Sequence, residues 1–275
     1  MKSYRLVSFS TLCICLFVLF ISPFQDTSSA STDKYQNFKQ LSQHESSASY
    51  KVTTKETKSP VLIFAPHGGG IEGGTSEIAK ELSKQNALYL FESLKSKGSR
   101  DLHLTSTHFD EPTARKMVSK YDNVLSLHGY SGNEKHIFVG GTDRERAKKL
   151  TQLLNQNGFP AELITKGHDE IAGINPGNIA NKNRTGKSIQ LEISQPLRSA
   201  MFDSFTSKGR VSSKTQTFYK FTNLLSTFVS TSYLIQKRML SQAFFFYKLV
   251  LLFVTYNRFP VKIFYILNRR LSHVL

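Results

Sequence analysis

Residues 61–79 read VLIFAPHGGGIEGGTSEIA. The first five residues form a continuous apolar run that stops at Pro66, which is the pattern of a short strand buried on both faces. The run empties into a glycine-rich loop that carries His67 and Glu72, and a helix begins at Thr75. Ile78, Leu82, Leu88, Phe91 and Leu94 supply an apolar stripe that predicts a helix over 75–95.

The same alternation continues outward. DLHLTSTHF (101–109) reads as a second strand, and Asp110 as the cap of a helix with Pro112 in its first turn, running to about Tyr121. NVLSLHGY (123–130) and HIFVGG (136–141) read as further strands. Thr142 and Glu145 have the spacing of a capping box for a helix with Ala147, Leu150 and Leu154 facing inward, stopped by Gly158 and Pro160. AELIT (161–165) and SIQLEIS (188–194) complete the strands. Strands alternating with helices predict an α/β fold, with a mixed, mostly parallel sheet and helices on both faces. In such sheets ligands bind at the carboxyl ends of strands.

The chain has 275 residues, enough for one domain with extensions, here expected over 59–236. Its formal charge of +16 is unevenly placed: no acidic residue follows Asp203, and ten of the 21 Phe lie beyond it. The body carries little excess charge, which gives no support to a nucleic-acid partner. Residues 1–30 read as a signal peptide, with Lys2 and Arg5 before an apolar stretch and with Ser28 and Ala30 at the −3 and −1 positions of a cleavage site. The other reading of that stretch is an uncleaved anchor. The expected location is therefore secreted, with membrane retention only if the signal or the tail is kept. The only cysteines, Cys13 and Cys15, would leave with the signal, so disulfides and Cys-ligated metals are not expected in the mature chain. Residues 31–58 read as a polar spacer. Residues 237–275, basic and Phe-rich, read as a membrane anchor, a basic surface patch, or translation beyond a shifted frame. A monomer is expected.

Two His and two Glu fall at strand ends: His67 and Glu72 after the first strand, His128 at the end of LSLHGY, and Glu192 near the end of SIQLEIS. A hydrolytic zinc takes three protein ligands, His₂Glu being one such set, and needs a further carboxylate as base. His67, Glu72 and His128 can be the ligands, which leaves Glu192 for the base. The HGGG stretch also suits a phosphate nest or an oxyanion loop, but neither a G-x-S-x-G nor a GK[ST] accompanies it. His103 and His136 read as structural or surface residues, and His108, beside Asp110, as a supporting or substrate residue. Asn178, Asn181, Lys182 and Arg184 are donors in the polar loop leading to Glu192, suited either to carboxylate recognition or to a solvated turn.

Taken together, APHGGGIEGGTSEIA, THFDEP, LSLHGY and NPGNIANKN…SIQLEIS…LR resemble the poly-γ-glutamate hydrolase family of bacteriophages and bacilli, over roughly residues 60 to 200. The resemblance implies a metallocarboxypeptidase-like α/β fold with one Zn²⁺ and hydrolysis of the polyanionic γ-linked glutamate polymer. By motif, His67, Glu72 and His128 match the zinc ligands and Glu192 the catalytic glutamate. Asn178, Asn181 and Arg198 fall where the family has residues near its substrate cleft. Lys182 stands where the family has Arg after the second Asn, with Arg184 two further on, so the cation for the substrate carboxylate is open between them. The spacing of the first ligand pair is H-x₄-E, and the Phe-rich tail has no counterpart in the family. Two other readings are a zinc amidase or carboxypeptidase on γ-glutamyl cell-wall peptides, and an inactive protein that binds the polymer.

Overall fold

The computed structural model describes residues 33–165 and 170–231 and the isolated positions 242, 245, 247 and 248. In chain order the strands are β1 (Tyr50–Lys55), β2 (Val61–Gly69), β3 (Ala87–Ser93), β4 (Asn123–Tyr130), β5 (Ile137–Gly140), β6 (Ala161–Leu163) and β7 (Ser188–Ser194). The helices are α1 (Phe38–His44), α2 (Thr75–Leu82), α3 (Pro112–Val118), α4 (Arg144–Gln156), α5 (Gln195–Ala200) and α6 (Gly209–Ser212), followed by α7 over 216–231. The seven strands form one sheet in the order β1-β3-β2-β4-β7-β5-β6. β3, β2, β4 and β7 run parallel, β1 lies antiparallel on β3, and β5 lies antiparallel on β7 with β6 parallel to it.

Both faces of the sheet are covered, because the central strands are apolar on both sides. Ile63, Ala65, Leu125, Leu127, Leu191 and Ile193 point to one face and pack under α2, α4 and α7. Phe218, Phe221, Leu225 and Phe228 are the buried stripe of α7, the spacing the sequence shows. Leu62, Phe64, Tyr89 and Phe91 point to the other face, beneath Leu41 of α1 and Ala114, Met117 and Val118 of α3. On β4 and β7 this second face turns polar at Ser126, His128, Gln190 and Glu192, all of them buried.

The chain leaves β2 to build β3 on one side and returns to lay β4 on the other. The two connections cover opposite faces: α2 packs in the first cluster and α3 in the second. A crevice therefore opens between the carboxyl ends of β2 and β4, where such sheets bind ligands. His67 and His128 stand at those two ends.

Several local expectations are corrected. The helix expected over 75–95 ends at Leu82, and Ala87–Ser93 is β3, buried throughout. A short, uniformly apolar run satisfies helical spacing as readily as strand spacing, and here pairing on both sides decided. Residues 101–109 are a 3₁₀ turn followed by loop, not a strand. Leu102 and Leu104 are buried as a strand would bury them, but the Leu104 and Ser106 carbonyls accept from the His67 ring and the Ile179 amide. Glu111, not Asp110, caps α3, accepting from the Thr113 and Ala114 amides. Asp110 instead accepts from the Phe38 amide and ties down α1. Asp143, not Thr142, caps α4. The segment expected as a polar spacer holds α1 and the edge strand β1, and so belongs to the fold.

The expected signal peptide lies outside the described residues, as does most of the 237–275 tail. Among the described residues no helix is long and apolar enough to cross a membrane.

Candidate metal centre and active site

β2 reaches the crevice through an irregularity. Its register against β3 shifts between Ala65 and Gly68, the place where Pro66, lacking an amide hydrogen, can sit inside a central strand. Gly69 then adopts φ +67° with its Cα against the β3 backbone, where a Cβ would stand 2.2 Å from the Ser93 carbonyl oxygen. The tight turn that follows is closed by the Glu72 amide donating to the His67 carbonyl, which returns Glu72 to the strand end it just left.

The result is a convergence of three side chains. Nδ1 of His67 lies 3.1 Å from Nδ1 of His128 and 3.1 Å from Oε1 of Glu72. One ligand-type atom from each of the three lies within 4.8 Å of the others. The far side of each group is held. His67 Nε2 donates to the Leu104 carbonyl at 2.8 Å, His128 Nε2 faces the Ser126 hydroxyl at 2.9 Å, and Glu72 Oε2 accepts from the Gly129 amide at 2.8 Å. With the protons on both Nε2 atoms, both Nδ1 lone pairs face the same point, the arrangement in which a second partner orients a metal-binding imidazole.

All three groups are buried. Burial together with the neighbouring His67 charge pushes His128 down to about 3, so its imidazole is neutral and free to ligate. Burial acts to raise the Glu72 carboxyl, but His67 outweighs it and holds the group at about 2. Burial likewise disfavours a charged His67, and the Glu72 carboxylate overcomes this and raises it. Two ring nitrogens and a carboxylate this close need positive charge among them. A proton on His67 Nδ1 meets that need, and a divalent cation meets it for all three at once, so the residues fit a metal of the zinc type.

Glu192 lies one strand over, outside this trio. It is the register partner of His128 across the parallel β4–β7 pair, so both side chains project from the same face. Gln190 Nε2 donates to Glu192 Oε1 at 2.9 Å. Burial, reinforced by the charge of Glu72, raises its carboxyl well above the usual range. A carboxyl group with raised proton affinity beside a candidate cation site is a candidate for proton transfer.

The expected substrate residues divide. Arg198 reaches the crevice, buried beside Gly129, whose Cβ would lie 2.5 Å from its guanidinium carbon. Its nitrogens donate to the Ile193, Gly73 and Tyr130 carbonyls. Asn178 and Asn181 are buried, with hydrogen bonds to the surrounding chain. Asn178 donates to Gln190 Oε1 and caps the turn at Ala180, while Asn181 donates to the Gly173 and Asn175 carbonyls and accepts from the Thr142 and Ser188 hydroxyls. Arg184 is exposed and forms a two-pronged pair with Asp122. Lys182 lines a separate cavity with Asp110 and Arg115. His108 is exposed.

His103 is the residue that the sequence reading missed. Its ring packs against His67, tilted by 33° with centroids 4.1 Å apart, its Nε2 stands 3.8 Å from Glu72 Oε1, and Asp33 grips its Nδ1 at 2.6 Å. Reading 101–109 as a strand hid it, and Asp33 lies in the segment read as a spacer.

The match to a family model described as poly-gamma-glutamate hydrolase covers residues 35–224. Two Bacillus subtilis (strain 168) proteins are similar along most of their length. The SPbeta prophage-derived UPF0714 protein YoqZ is 50% identical, over 81% of this chain and 80% of its own. The UPF0714 protein YndL is 52% identical, over 73% of this chain and 79% of its own. A solved structure of YndL in a zinc-free apo form superposes with a TM-score of 0.72, covering 73% of this chain and 99% of that one. The structure of a bacteriophage poly-gamma-glutamate hydrolase, 34% identical, superposes with a TM-score of 0.71, covering 74% of this chain and all of that one. This chain belongs to the poly-gamma-glutamate hydrolase family.

Proposed function

We propose that the protein is an exported, zinc-dependent hydrolase that cleaves the γ-glutamyl amide bonds of poly-γ-glutamate. The observation that carries this reading is the convergence of His67 Nδ1, His128 Nδ1 and the Glu72 carboxylate, with Glu192 on the neighbouring strand end. The solved YndL structure is a zinc-free form, which supports zinc as the metal here. The signal-like start of the chain supports export.

His67, Glu72 and His128 would hold the zinc, which when bound supplies Lewis-acid polarisation of the scissile carbonyl and of a water molecule. Glu192 takes the proton from the attacking water and passes it to the departing amide nitrogen. Gln190 orients the Glu192 carboxylate for both transfers. The Leu104 carbonyl, the Ser126 hydroxyl and the Gly129 amide keep the three ligand groups aimed at one point, so little reorganisation accompanies the reaction.

The test is incubation of the purified protein with poly-γ-glutamate and, separately, with muropeptides, each with and without a chelator. Chelator-sensitive shortening of the polymer is expected. Cleavage of muropeptides alone would favour the cell-wall reading, and polymer binding without cleavage would make the protein a binding module.

A further inference from the structure

Beside the trio lies a cavity of about 260 Å³, lined in part by Glu72, Gly129, Tyr130, Arg100, Arg198 and Arg210. It is smaller than the ~300–1,000 Å³ of a drug-sized pocket and has room for about one small acidic unit. Three guanidinium groups border it, and they are not equivalent. Arg198 spends its nitrogens on three backbone carbonyls. Arg210 is buried and donates to Glu77 and to the Phe205 and Gly69 carbonyls. Arg100 is exposed, on the 3₁₀ turn Ser99–Leu102, and its side chain makes no hydrogen bond or ion pair among the described residues.

The substrate chemistry bears on this difference. In a γ-linked glutamate chain, the carbon attached to each amide nitrogen also carries a free α-carboxylate. That carboxylate is three bonds from the scissile carbonyl carbon, roughly 3–4 Å away. A carbonyl placed at the His67–Glu72–His128 trio puts this carboxylate within reach of the adjoining cavity, which Glu72 and Gly129 themselves border. Arg184, already paired with Asp122, and Lys182, in a different cavity, are not placed to meet it.

We infer that Arg100 binds the α-carboxylate next to the scissile nitrogen, with Arg198 and Arg210 as a fixed positive surround that preorganises the cavity. This assignment rests on the function proposed above and makes Arg100 a specificity residue of that reaction. It also implies that a free chain end is not required, because every unit of the polymer offers the same carboxylate at the same distance from its bond.

The test is steady-state cleavage of poly-γ-glutamate by the wild type, Arg100→Gln and Arg100→Lys, with zinc content and circular dichroism measured on each. Loss of a charge-assisted contact predicts a KM raised about tenfold or more in Arg100→Gln, kcat within about threefold, zinc unchanged, and partial recovery in Arg100→Lys. A KM within about threefold of wild type, a loss confined to kcat, or no recovery with Lys would each overturn the assignment. A wild type that holds zinc but leaves the polymer intact would overturn the proposed function, and this subsite with it. An active wild type matched by Arg100→Gln would remove the subsite alone.

Discussion

Nδ1 of His67 and Nδ1 of His128 lie 3.1 Å apart, although 61 positions separate the two residues in the chain. Each ring has its other nitrogen committed, to the Leu104 carbonyl and the Ser126 hydroxyl. Neither ring can turn away from the other without giving up a buried hydrogen bond, so the pair holds both Nδ1 atoms toward one point before any ligand arrives.

That preorganisation predicts the behaviour of a ligand deletion. His128→Ala leaves two ligands where structural and catalytic zinc sites use at least about three. Elemental analysis after dialysis should find about one zinc per wild-type chain, with both zinc and activity lost in the variant. Full occupancy in His128→Ala would remove these residues as the metal site.

Glu192→Gln separates chemistry from binding. The amide keeps the shape and can still pair with Gln190, but it cannot accept a proton. Zinc should stay bound while kcat falls by about 10²-fold or more, the scale of a lost general base. Loss of zinc together with activity would make Glu192 a ligand instead.

Asn181→Ala weighs a loop-holding role against the expected substrate-binding one. The buried amide joins the Gly173 and Asn175 carbonyls to the Thr142 and Ser188 hydroxyls, and so staples the loop before β7. Its removal strands several buried polar groups at a cost of roughly 2–4 kcal/mol, with KM per folded molecule changed by less than about threefold. Thermal melts alongside kinetics check this. A large KM increase with an unchanged melting temperature would restore the substrate-binding role.

The segment before β2 provides a fourth expectation. A chain beginning at residue 59 lacks Leu41, which is fully buried, and lacks β1, which covers the β3 edge. It should aggregate, because an open strand edge and an uncovered apolar face are both exposed. A chain beginning at residue 31 should stay soluble. It keeps Asp33 and so the grip on His103. Light scattering on the two proteins decides the matter, and a soluble, active chain from residue 59 would show that α1 and β1 are dispensable.

Much of this was legible in the linear sequence. The strand ends at His67, His128 and Glu192 were readable because apolar runs such as VLIFA and SIQLEIS mark a buried parallel sheet, and such sheets bind ligands at their carboxyl ends. A polar residue at the end of such a run stands out against it. Local signals were weaker wherever two periods fit one run. ALYLFES satisfies helix and strand alike, and only pairing with β1 and β2 chose between them.

Residue type and position along the chain determined which groups could serve as ligands and base, and that the chain is α/β. Tertiary structure decided which cations are free. Arg184, Lys182, Arg198 and Arg100 carry the same formal charge, but distant parts of the chain engage two of them: Asp122 the first, and the Gly73 and Tyr130 carbonyls the third. Tertiary structure also brought Asp33 and His103 to the site. A hydrogen bond between residues 70 positions apart depends on how the loops cross the sheet end, and no periodicity in the sequence encodes that crossing.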